Sequence, residues 1–225
     1  MKRKIINHYI RIIVTTLFTG LATLLSAQSN TDGSMPQYLF PRFSECEVRM
    51  KNGQVQSMDM NYNTVTEKMV FIRNGKYYDM INPDMADTVY LNDSKFVPSG
   101  KIFYEVLLAG PIDLLVQHKG NLLPAGKPVG YGGTSQVASS NYISNIKLES
   151  GQYNLEIPAD FIVKADPVFW IRKNDEMISF MNEKQFIKIF PENTVKIKGF
   201  IKEYRIKTDR YEDLIQLVKY CSGLN

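Results

Sequence analysis

The sequence contains two histidines, His8 and His118. His8 falls inside an N-terminal leader, so a processed chain would keep a single imidazole. That excludes a multi-histidine metal site and leaves one candidate for histidine-based acid–base chemistry. His118 lies in Val116-Gln117-His118-Lys119-Gly120, where an apolar strand runs into a turn. No nucleophile or orienting acid adjoins it in sequence. The context predicts an exposed residue at a strand end.

Other motifs fall short of chemistry. Gly120 to Lys127 resembles a phosphate loop, but five residues separate Gly120 from Gly126 where the motif needs four, and Pro128 occupies the Ser/Thr position. Asp79, Asp84, Asp87 and Asp93 lack calcium-loop spacing; Asn82-Pro83-Asp84 and Asn92-Asp93-Ser94 read as turns. Nothing singles out the carboxylate pair of a glycosidase. No catalytic residue, metal site or cofactor is expected, and the chain is not expected to be an enzyme.

Three features suit contact rather than catalysis. Gly130, Tyr131, Gly132, Gly133 and Thr134 would let backbone approach a partner closely and offer one aromatic face. Trp170, the single tryptophan, could anchor a partner, although strand alternation also fits a packed position. Cys46 and Cys221 could pair in an oxidising compartment, or stay as two separate buried thiols.

The leader sets the compartment. Lys2, Arg3, Lys4 and Arg11 precede an apolar run from Ile12 to Leu25, which closes on Ser26-Ala27. A basic start, a short apolar stretch and a small residue at the cut make a secretory signal peptide. Cleavage near Ala27 would deliver a periplasmic or extracellular product with no transmembrane segment. Of 27 Lys and Arg residues, four lie in the leader, which holds no acidic residue. The remainder is balanced against 23 Asp and Glu. A neutral surface carries no footprint for nucleic acid.

The elements that must position these residues are mostly strands. Residues 28–39 read as a flexible lead-in and 40–180 as a β-rich domain. Residues 181–225 read as a helical segment packed on the sheet. Cys46, Val48 and Met50, then Met58, Met60 and Tyr62, alternate with polar residues. Asn52-Gly53 and Asn74-Gly75 predict tight two-residue hairpins. Further strands are expected at 88–91, 102–109, 113–118, 142–148, 153–157, 161–164, 168–172 and 177–180. Residues 123–141, rich in Gly, Pro and Ser, predict a long exposed loop. Asn182 caps a first helix that Pro191 ends. Val195, Ile197, Phe200, Ile201 and Tyr204 form the stripe of a second. Asp209 and Glu212 start a third in capping-box fashion, with Leu214, Ile215, Leu217, Val218 and Cys221 inside. The expected fold class is α+β: an antiparallel β-roll or barrel-like sheet with a C-terminal cap of two or three helices.

The Leu25-Ser26-Ala27-Gln28 junction, the stretch from Gly53 to Met60-Asn61-Tyr62-Asn63, and the tail from Phe186-Ile187-Lys188-Ile189-Phe190-Pro191 through Lys202 to Asp213-Leu214 carry a resemblance. In them the chain resembles uncharacterised exported β-rich proteins of the Bacteroidetes, and that resemblance implies no activity. The expected function is non-enzymatic: an exported envelope protein acting by contact with another envelope protein. The alternatives are a periplasmic carrier of a lipid or glycan inside a β-roll, and an envelope hydrolase. The hydrolase would need His118 or paired carboxylates to converge in a cleft.

Overall fold

Alternation builds the first strands. Cys46 and Val48 of β1 (Ser44–Met50) face the same side as Met58 and Met60 of β2 (Val55–Asn63), with Cys46 opposite Met58. The computed structural model describes residues 35–125, 127–129, 133–135, 152–153, 157 and 161–224, which belong to one compact unit. The strands continue with β3 (Lys68–Arg73), β4 (Lys76–Asp79), β5 (Ala86–Leu91), β6 (Ser94–Ser99), β7 (Ile102–Leu108) and β8 (Asp113–Gln117). Then come β9 (Gly120–Pro124), β10 (Lys127–Val129), β11 (Gly133–Ser135), β12 (Gln152–Tyr153), β13 (Phe161–Ala165), β14 (Val168–Lys173) and β15 (Glu176–Phe180). Helices α1 (Glu183–Lys188), α2 (Thr194–Tyr204) and α3 (Tyr211–Ser222) close the chain.

Eleven strands form one sheet in the order β12-β4-β3-β2-β1-β5-β6-β7-β8-β14-β15. Its pairings are antiparallel throughout, as consecutive hairpins require. β9 pairs with β13, and β10 with β11, in two small ribbons. The sheet is not a closed barrel: β12 and β15 are its two ends. It does curl, because β3 touches β7 although four strands lie between them. The β2–β3 turn meets the far strands as well, where the Gly120 amide donates to the Thr64 carbonyl at 2.9 Å.

Two apolar cores result. Cys46, Val48, Met60, Tyr62, Met69, Val89, Leu91, Phe96 and Phe103 fill the curled half. Leu114, Val116, Phe169, Ile171 and Phe180 meet Phe186, Ile197, Leu214, Leu217, Val218 and Cys221 where the helices cover the sheet.

Several expectations need correction. Asn74 and Gly75 both have positive φ, as a two-residue turn demands, but at the first hairpin only Gly53 does. There Met50 N bonds Gln54 O, so the loop has three residues and ends on a left-handed glycine. Residues 35–39 of the expected lead-in are paired: Tyr38 bridges to Asn63, and the Leu39 amide donates to the Tyr62 carbonyl at 2.9 Å. Backbone pairing with the end of β2 fixes these residues. β9, β10 and β11 fall in or across the expected 123–141 loop. Strand β6 was not expected, because Pro98 and few apolar residues hide it; Pro98 nonetheless sits opposite Phe103. The expected strand at 142–148 lies outside the described residues.

The helical tail also departs in detail. Asn182 does cap α1, its side chain accepting from the Gln185 amide at 3.0 Å. On α2, Ile197 and Ile201 are buried, whereas Val195 is 83% exposed and Tyr204 53%. The stripe is narrower because a single face meets the core. Helix α3 starts two residues later than Asp209 and has no side-chain cap; Asp213 instead accepts from the Lys207 amide at 2.9 Å.

Candidate functional site

Two cavities stand out. The first, of about 480 Å³, is lined by Val48 and Met50 of β1, Gln56 and Met58 of β2, and Phe71 to Arg73 of β3. Asp79 and the connection carrying Met80, Ile81, Asn82 and Met85 complete it. Four methionines therefore border one space. Unbranched thioether side chains adapt to irregular apolar shapes. Because Met50 pairs with Gln54, Met58 lies four residues further along, roughly 13 Å at about 3.3 Å per residue. The lining thus extends over roughly that length along the strands.

Two charged residues border this space differently. Arg73 is exposed and makes no ion pair among the described residues. Asp79 is buried; its Oδ2 accepts from Lys68 Nζ at 2.5 Å, while Oδ1 has no hydrogen-bond partner. Burial pushes the Asp79 carboxyl above its ordinary value, and the Lys68 hydrogen bond and charge only partly offset this.

The second cavity, of about 340 Å³, is lined by Leu39, Phe40, Thr64, Ser94, Glu105, His118, Lys119, Ala165, Pro167 and Tyr211. It collects side chains from the lead-in, β6, β7, the end of β8, the β13–β14 connection and α3. His118 is 8% exposed, against the expected exposed strand end. Its Nε2 lies 2.5 Å from Glu105 Oε2, and Ser94 Oγ donates to Glu105 Oε1 at 2.5 Å. The curl of the sheet brings the rings of Tyr62 and Phe96 within 6.1 Å and 6.4 Å of the imidazole, centroid to centroid. Burial alone would raise the Glu105 carboxyl, but the hydrogen bonds from His118 and Ser94 and the His118 charge hold it below its ordinary value. Burial, then the Glu105 charge, raises the Tyr211 hydroxyl.

Of the residues singled out from sequence, Trp170, Cys46 and Cys221 are not among those lining either cavity. Gly130, Tyr131 and Gly132 lie outside the described residues. Gly133 and Thr134 belong to β11, facing Val129 and Pro128 of β10. Trp170 is half-buried: its ring meets Tyr104 edge-on at 5.6 Å, and its Nε1 donates to Gln117 Oε1 at 3.1 Å. Phe169 and Ile171 point the other way into the helix-covered core.

The candidate disulfide is absent. Cys46 and Cys221 are free and buried in different cores, so neither sulfur has the other as a neighbour. Burial pushes each thiol up to about 12. Among the described residues, no acidic, cysteine and histidine cluster could hold a metal ion, and no helix is long and apolar enough to cross a membrane.

Glu105, Ser94 and Tyr211 were missed in the sequence. Glu105 sits in an apolar run, Phe103-Tyr104-Glu105-Val106-Leu107-Leu108, and a lone acid in such a run is the one signal that could have found it. No family model, no curated protein and no solved structure matches the chain.

Proposed function

We propose that this chain is an exported carrier of an elongated apolar ligand bearing a carboxylate, a fatty-acid-like lipid. One observation carries the reading: a methionine-bordered cavity of about 480 Å³ on the inner face of the sheet, with lining residues spread along β1 and β2. Small-molecule sites span about 300–1,000 Å³ and are mostly apolar with a few polar groups. Arg73 supplies such a group, because a guanidinium pairs with a carboxylate in a two-pronged fashion. In this reading the curled half of the sheet acts as a β-roll around its ligand, and the leader sends the protein across the inner membrane.

The test uses purified, delipidated protein and a fluorescent fatty acid. Saturable binding is expected, with Arg73→Ala weakening it about tenfold, the scale of one charge-assisted hydrogen bond. The matching fatty alcohol should bind the variant and the parent alike. Absence of saturable binding would remove the reading.

Contact with another envelope protein is the second reading. It is favoured by Ile81, 74% exposed, and Met85, 55% exposed, both bordering the same cavity. Affinity capture from envelope extracts with parent and Ile81→Asp baits separates it from the first.

A further inference from the structure

We propose that the second cavity is a hydrolytic site for short-chain carboxylic esters, with His118 as general base acting on water. The argument begins with the pairing. Glu105 accepts hydrogen bonds on both oxygens, from Ser94 Oγ and from the imidazole. An ionised carboxylate can only accept, so the proton of a neutral imidazole must sit on Nε2. The basic lone pair is then on Nδ1; among the described residues the imidazole's hydrogen bond is the Nε2 contact with Glu105. Ser94 holds the carboxylate, the carboxylate holds the tautomer, and the tautomer leaves one nitrogen ready to take a proton.

The nucleophile is identified by elimination among the lining groups. Ser94 directs its hydroxyl at Glu105, not at His118, Thr64 donates its own to the Gln37 carbonyl at 3.0 Å, and burial and the Glu105 charge keep the Tyr211 hydroxyl protonated. Water is left. Leu39, Phe40, Ala165 and Pro167 give apolar walls for an acyl group, and about 340 Å³ restricts it to a short one. Lys119 is a cation on the lining; its ammonium is in a loose 3.8 Å ion pair with Glu67 Oε1 and would turn from it to meet an oxyanion.

The reaction balances without a co-reactant other than water. The water oxygen bonds to the acyl carbon as its proton passes to Nδ1, and Glu105 stabilises the imidazolium. The tetrahedral oxyanion faces the Lys119 ammonium. Collapse breaks the ester C–O bond, and the leaving alkoxide takes the proton from Nδ1. Acid and alcohol depart, and the imidazole is restored. Glu105 and Ser94 are positioning residues in this scheme.

The experiment is hydrolysis of p-nitrophenyl acetate and p-nitrophenyl butyrate by the purified full chain, with circular dichroism to confirm folding of each variant. The parent should turn over both esters catalytically. His118→Gln should lower kcat about 100-fold or more, the scale of a positioned base. Glu105→Gln should lower kcat, leave KM nearly unchanged and displace the pH profile. Lys119→Met, at a partly exposed position, is the variant least exposed to misfolding and should lower kcat about tenfold or more. A parent rate equal to the buffer blank would overturn the proposal. So would a folded His118→Gln or Lys119→Met protein that keeps the parent rate.

Discussion

Asp79 shows how one atom sets a pH response. Its carboxyl is raised above its ordinary 3.8 because burial outweighs the Lys68 pairing. An acid whose folded value is raised favours folding while protonated. That advantage is lost as pH rises through the folded value, when the fold must hold the charge. Asp79→Asn cannot ionise. Its melting temperature should therefore match the parent near pH 4 and exceed it at pH 7. Thermal melts at both values check this; a variant less stable than the parent at pH 7 would show that the Lys68 pair dominates. Glu105 works in the opposite sense: its lowered carboxyl contributes stability above the ordinary carboxylate range, lost as pH falls through the folded value.

At the scale of elements, burial decides what a helical residue is worth. Leu214 on α3 is fully buried in the helix-covered core, so Leu214→Ala should cost about 2–5 kcal/mol in urea denaturation. Val195→Ala on α2, at an 83% exposed position, should stay within about 0.5 kcal/mol. Both residues look alike in an apolar stripe, and the sequence has no means to say which side of α2 meets the sheet. Period-two alternation did expose β1 and β2, apolar runs exposed β8 and β14, and Asn74-Gly75 exposed its turn, because those signals are local. Strand β6 escaped because its burial rests on Phe96 alone, with Pro98 breaking the pattern. The Ser94–Glu105–His118 arrangement escaped for a different reason. Ser94 and Glu105 lie on separate strands and His118 just past the end of a third, and only the β6–β7–β8 register brings them together. The methionine cavity is hidden in the same way, since Met50, Met58, Met80 and Met85 are neighbours only once β1, β2 and the β4–β5 connection are assembled.

For the whole molecule, two cores share one continuous sheet, and β7 and β8 run between them. Trp170 on β14 sits near that junction, against Tyr104 of β7. If the sheet couples the cores, Trp170 fluorescence and far-ultraviolet circular dichroism should give one coincident unfolding curve in guanidinium. Separate midpoints would mean that the curled half and the helix-covered half melt independently.

The two unlinked sulfurs have a practical consequence. A chain whose native state contains no covalent staple owes nothing to oxidant or isomerase, so thiol–disulfide exchange sets no clock on its maturation. Its packing is equally attainable in a reducing and in an oxidising compartment, which makes recombinant production in a reducing bacterial cytosol a straightforward route to folded material.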